Sequence, residues 1–138
     1  MKKIPIYTEV KKWLADVYTP VGIYLRLRDK YRDTILLEST DNHAAENSYS
    51  FICVNAIAGI EISSARRLEI KFPGQKPEQQ SIADSKKVPS LVWDFMQHFE
   101  LSGDGGESRF AQGLYGYTTY DAIQFFENIS MNEKPEST

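Results

Sequence analysis

Glu38 and Ser39 close an apolar run that begins at Ile35, setting a carboxylate beside a hydroxyl at the rim of an expected strand. Such a pair offers an acceptor and a donor/acceptor, the groups that hold an ammonium and hydrogen-bond the polar end of a small amino acid. Spacing alone favours a plainer role, in which Ser39 or Thr40 starts a turn and Glu38 faces water. A second run, Gly113-Leu-Tyr-Gly-Tyr-Thr-Thr-Tyr-Asp121, threads three tyrosines through two glycines before an acid. Asp121 stands at an expected strand-to-helix junction, where a carboxylate stabilises the positive end of the helix dipole. His43 and His98 are far apart and lack metal-ligand spacing, so both are expected to be solvated surface residues. Cys53 follows Phe51-Ile52 and is expected to be a buried, inert thiol. Gly103 and Gly105-Gly106 lie among Glu100, Asp104 and Glu107, which makes a flexible acidic loop and not a phosphate cradle. No catalytic constellation is present.

Composition narrows the classes. The chain has 138 residues, 41% hydrophobic and 25% charged, as expected of one globular domain. A formal charge of -3 argues against a basic nucleic-acid footprint and gives no membrane-binding signal. No apolar run approaches the roughly 20 residues a membrane span needs. Lys11-Lys12 and Asp16 interrupt any signal-peptide core near the start. A single cysteine cannot form an internal disulfide, and the cytoplasm is the default location.

The elements that would carry these residues follow from patterning. Thr8 is expected to cap a helix with Val10, Trp13, Leu14 and Val17 on one face, stopped by Pro20. Val21 to Arg28 alternates and predicts a strand, turned by Asp29 to Asp33 into a hairpin with Ile35 to Glu38. Thr40 to Asn47 is a polar loop, and Tyr49 to Val54, Ala56 to Ser63 and Leu68 to Phe72 are further strands. Pro73 to Lys87 is expected to be a surface loop. Pro89 opens a helix striped by Leu91, Val92, Phe95, Met96 and Phe99. Ser102 to Ser108 is a loop, Phe110 to Tyr117 a strand, and Thr118 or Thr119 caps a last helix through Phe125-Phe126. The fold class is α+β, a mainly antiparallel sheet with about three helices. Residues 1–127 form the domain, and 128–138 a polar tail or linker.

Thr19-Pro20-Val21, Leu36-Leu37-Glu38-Ser39, Ser48-Tyr49-Ser50-Phe51-Ile52 and Gly113-Leu-Tyr-Gly116-Tyr117 leading to Tyr120-Asp121 stand in a family order. In that order they resemble the N-terminal region of anthranilate synthase component I, a chorismate-utilising enzyme. The resemblance runs from about Thr19 to Glu127. It implies the N-terminal portion of a larger two-domain α/β sandwich, whose C-terminal chorismate-binding domain also carries the Mg²⁺ ligands and lies beyond Thr138. Ammonia from a glutamine amidotransferase subunit, component II, would convert chorismate to anthranilate and pyruvate in tryptophan synthesis. This part would contribute to the site of the feedback inhibitor L-tryptophan, through Glu38, Ser39, Glu46, Asn47, Ser48 and Tyr49. Leu37 and Tyr49 would meet the indole. Many relatives carry arginine where Ser48 stands here, which would weaken that contact or leave it to the backbone. The chain alone is expected to have no synthase activity. Two alternatives stay open: component I of aminodeoxychorismate synthase in folate synthesis, and a stand-alone amino-acid-sensing or interaction domain.

Overall fold

The computed structural model describes residues 3–38, 49–64, 67–102 and 106–129. They form two compact units, Val10–Ala58 and a discontinuous one made of Met1–Glu9 with Gly59–Thr138. The class is α+β: among the described residues there are seven short strands, two α-helices and three 3-10 helices.

In the discontinuous unit, β4 (Gly59–Ser64), β5 (Arg67–Lys71) and β6 (Glu78–Ser81) form an antiparallel sheet with β5 central. Leu68 on β5 is 1% exposed and packs with Ile82 and Val88, while Ile60, Ile62, Ile70, Leu91 and Phe125 close around them. Burying a leucine side chain fully contributes about 1.5–3 kcal/mol, which makes Leu68 an anchor of this sheet. Helix α2 (Val88–Gln97) carries Pro89 in its first turn and buries Val88 and Phe95. Phe72 lies beside Phe95, with ring centroids 5.6 Å apart, and Phe99 meets Phe95 edge-on at 5.3 Å. Strand β1 (Ile4–Tyr7) pairs in parallel with β7 (Phe99–Ser102).

The Val10–Ala58 unit holds helix α1 (Pro20–Leu27) against the antiparallel pair β2 (Ile35–Glu38) and β3 (Ser50–Cys53). None of its described side chains is fully buried. Asn55 adopts a left-handed φ of 52°, which asparagine tolerates better than most residues, and its N–H donates to the Arg32 carbonyl at 2.9 Å. That bond ties the exit of β3 to the turn before β2.

Several expectations are corrected. Val10 to Val17 is not helical, and Trp13 and Leu14 are 85% and 86% exposed. An amphipathic period does not sustain so short a helix without a surface to pack on. Val21 to Leu27 belongs to helix α1, which Arg28 caps, and not to a strand. Thr19 caps it by accepting from the Gly22 N–H at 3.1 Å, and Pro20 fills the first turn, where its missing N–H costs nothing. The partner of β2 is therefore β3. The expected loop 73–87 contains β6 and a 3-10 turn, Ser85–Lys87. Phe99 belongs to β7 and not to α2. Phe110 to Tyr117 forms no strand: a 3-10 helix, Gly106–Phe110, ends there and irregular backbone follows. The last helix is a 3-10 helix, Tyr120–Phe125, with Thr119 at its cap. No helix among the described residues is long and apolar enough to cross a membrane.

Candidate functional site

The β2–β3 register sets Ile35 opposite Cys53, Leu36 opposite Ile52, Leu37 opposite Phe51 and Glu38 opposite Ser50. Residues directly opposite share a face, and neighbours along a strand alternate. One face thus carries Ile35, Leu37, Phe51 and Cys53, and the other carries Leu36, Glu38, Ile52 and Ser50. The Tyr49 ring lies 6.5 Å from the Phe51 ring, tilted by 38°, which adds it to the Leu37 side. Tyr49 is half exposed, whereas Leu37 and Phe51 are half-buried. An aliphatic residue sharing a face with two aromatic rings offers an apolar surface suited to an aromatic guest.

Of the six residues named from sequence, two are described. Tyr49 and Glu38 both stand at the end of the pair where the chain leaves β2 and re-enters before β3. By strand parity Glu38 belongs to the face opposite Leu37, beside Ser50. Ser39, Glu46, Asn47 and Ser48 lie outside the described residues, as do His43 and the loop 40–47. Phe51, not among the six residues named from sequence, shares the face of Leu37 and Tyr49. Its signal was the alternation Tyr49, Phe51, Cys53, which marks one face once a partner strand is known.

The remaining candidates have structural roles. His98 is half-buried and not a solvated surface residue: its ring centroid lies 5.0 Å from that of Phe72, and its Nδ1 donates to the Asp94 carbonyl at 2.7 Å. Burial pushes the Cys53 thiol above its ordinary value of 9.0, as befits an unreactive side chain in a half-buried strand. Asp121 occupies the first turn of the 3-10 helix Tyr120–Phe125 and is exposed. The Tyr115 hydroxyl donates to the Phe110 carbonyl, tying the Gly113–Tyr117 stretch to the end of the 3-10 helix Gly106–Phe110. No group of three His, Cys, Asp or Glu among the described residues is placed to hold a metal ion.

Curated relatives match nearly the whole chain. Anthranilate synthase component 1 of Aquifex aeolicus is 33% identical over 128 residues, 91% of this chain and 24% of that protein. The Pseudomonas putida protein of the same name is 29% identical over 136 residues, 96% of this chain and 26% of that protein. Anthranilate synthase component 1 of Pseudomonas aeruginosa is 30% identical over 125 residues, again 91% of this chain. The chain therefore spans about a quarter of the length of these relatives. No family model and no solved structure matches it. The resemblance carried by the four motifs is a whole-chain relationship.

Proposed function

We propose, from a relationship to anthranilate synthase component 1 that covers 91% of the chain, that this is the N-terminal, inhibitor-sensing part of such an enzyme. The complete protein would convert chorismate and ammonia to anthranilate and pyruvate in the cytoplasm. A glutamine amidotransferase subunit, component II, would release the ammonia. The Mg²⁺ of the complete enzyme would be held by residues of its C-terminal chorismate-binding domain.

This part would bind L-tryptophan at the end of β2–β3 where Glu38 and Tyr49 stand. Leu37, Tyr49 and Phe51 would receive the indole, and burial of a group that size supplies roughly 2–3 kcal/mol. Ser39, Glu46, Asn47 and Ser48, on the segment joining the strands, would address the ammonium and carboxylate, each charge-assisted hydrogen bond adding about 1.5–3 kcal/mol. Glu38, across the pair from that surface, is suited to the rim and not to the indole. Inhibition then requires tryptophan to bind one arrangement of the enzyme better than another, since only differential affinity shifts an equilibrium.

The three relatives described above share one name, which favours this assignment over aminodeoxychorismate synthase. The decisive experiment supplies the complete gene product with chorismate, glutamine and component II, and identifies the product. Anthranilate with pyruvate is expected. Release of 4-amino-4-deoxychorismate would move the protein to the folate branch, and no turnover would favour a stand-alone sensing domain.

A further inference from the structure

The β1–β7 sheet has two parallel strands, and neither has another strand beside it among the described residues. Parallel strands occur almost entirely inside larger sheets covered on both faces, and two strands alone are marginal in water. The ladder's parity identifies the backbone groups left over. Ile4 is matched to Phe99 and Ile6 to Leu101, and the Ile4 N–H donates to the His98 carbonyl at 2.8 Å. In a parallel ladder this arrangement bonds Ile4 and Ile6 to His98, Glu100 and Ser102, and turns the N–H and C=O of Phe99 and Leu101 away from β1. On β1 the residues turned outward are Pro5 and Tyr7. Pro5 has no N–H to offer, a common means of blunting an edge. The outward positions of β7 are two apolar residues with complete backbone groups, and the Leu101 side chain is 52% exposed.

We infer that the outer edge of β7 is a strand-addition site, filled by a strand from the remaining part of the component 1 chain. This rests on the assignment above. The relatives supply the length, since the match covers only 24–26% of them. Charge disfavours one of the two antiparallel registers open to a second copy as the occupant. Two copies of β7 paired antiparallel, with Phe99 of one matched to Leu101 of the other, set Glu100 directly against Glu100, and like charges directly opposite destabilise a pair. An incoming strand of different sequence escapes that penalty, and one with a lysine, arginine or threonine opposite Glu100 gains from it.

Residue-resolved amide hydrogen exchange on the complete enzyme tests the site, with Tyr7 as the internal reference at the blunted edge. The Phe99 and Leu101 amides are expected to exchange slower than that of Tyr7 by about 100-fold or more. Equal rates at Leu101 and Tyr7 would overturn the strand addition. Protection that fades on dilution, together with a dimer dissociating in sedimentation, would also overturn it, because the occupant would be a second copy. Anthranilate formation by the same sample reads the earlier assignment separately. Active enzyme with a freely exchanging Leu101 overturns the strand addition alone, and inactive enzyme overturns the assignment and the occupant with it.

Discussion

Leu37 faces Phe51 directly across the β2–β3 pair, while Glu38, one residue on, faces Ser50 on the opposite side. The Leu-Leu-Glu-Ser motif therefore divides its labour between two faces. Its apolar member joins the rings of Phe51 and Tyr49, and its carboxylate does not.

Replacing Ser39 tests the inhibitor pocket. In the complete enzyme, Ser39→Ala and Ser39→Phe should raise the tryptophan concentration for half-inhibition by about 10- to 100-fold, the equivalent of one charge-assisted hydrogen bond. Uninhibited turnover should be unchanged. Steady-state assays with a tryptophan titration measure both, and unaltered inhibition in both variants rules out the pocket.

Thr19→Ala removes the only side-chain cap of α1 and should lower stability by about 0.5–2 kcal/mol in urea unfolding, with Thr19→Ser largely neutral. Gly22→Ala should not deliver the roughly 1 kcal/mol that alanine normally brings to a helix. The added Cβ would stand 3.0 Å from the Thr19 Oγ1 and press on the capping hydroxyl.

Leu68→Ala should cost about 2–5 kcal/mol, because the side chain is 1% exposed and fills the centre of the β4–β5–β6 sheet's packed face. Gln79→Ala, which removes only an exposed 2.9 Å bond to the Glu69 carboxylate, should change stability by no more than about 0.5 kcal/mol. Thermal unfolding of the pair gives the contrast directly.

Cys53 sets a pH dependence. Burial favours the neutral thiol in the folded state, so the folded pKa lies above the unfolded value near 9.0. The unfolded chain then loses its proton first as pH rises, and this contribution to stability is complete below pH 9 and declines above it. Alkylation by iodoacetamide at pH 8 should be slower in the folded protein than in urea. Equal rates would show an accessible thiolate.

The elements legible in the sequence were those whose apolar residues find a partner nearby. Ile35 to Leu37, Phe51 to Cys53, Leu68 with Ile70, and Leu91 with Phe95 are packed as their patterns indicate, whereas Met96 of the expected helix stripe is exposed. Helix α1 was hidden because Ile23, Leu25 and Leu27 alternate like a strand, while the decisive Thr19-Pro20 cap looked like the end of an earlier helix. Trp13, Leu14 and Val17 show the reverse error, a helical period with nothing in their own unit to bury it. Strand β6 reads Glu-Gln-Gln-Ser, an exposed edge with no hydrophobic signal at all, and β1 and β7 are four residues each. The shared face of Leu37, Tyr49 and Phe51 was not legible, since strand faces become visible only after pairing is known.

The Ser102 hydroxyl donates to the Ile6 carbonyl at 2.8 Å, across 96 positions of chain. That closure imposes an order on biosynthesis. The first strand leaves the ribosome long before its partner exists, and α1, β2 and β3, whose contacts are local, can assemble meanwhile. The N-terminus thus waits for β7 to emerge, so truncating the chain before Phe99 would strand Ile4 and Ile6 without their ladder.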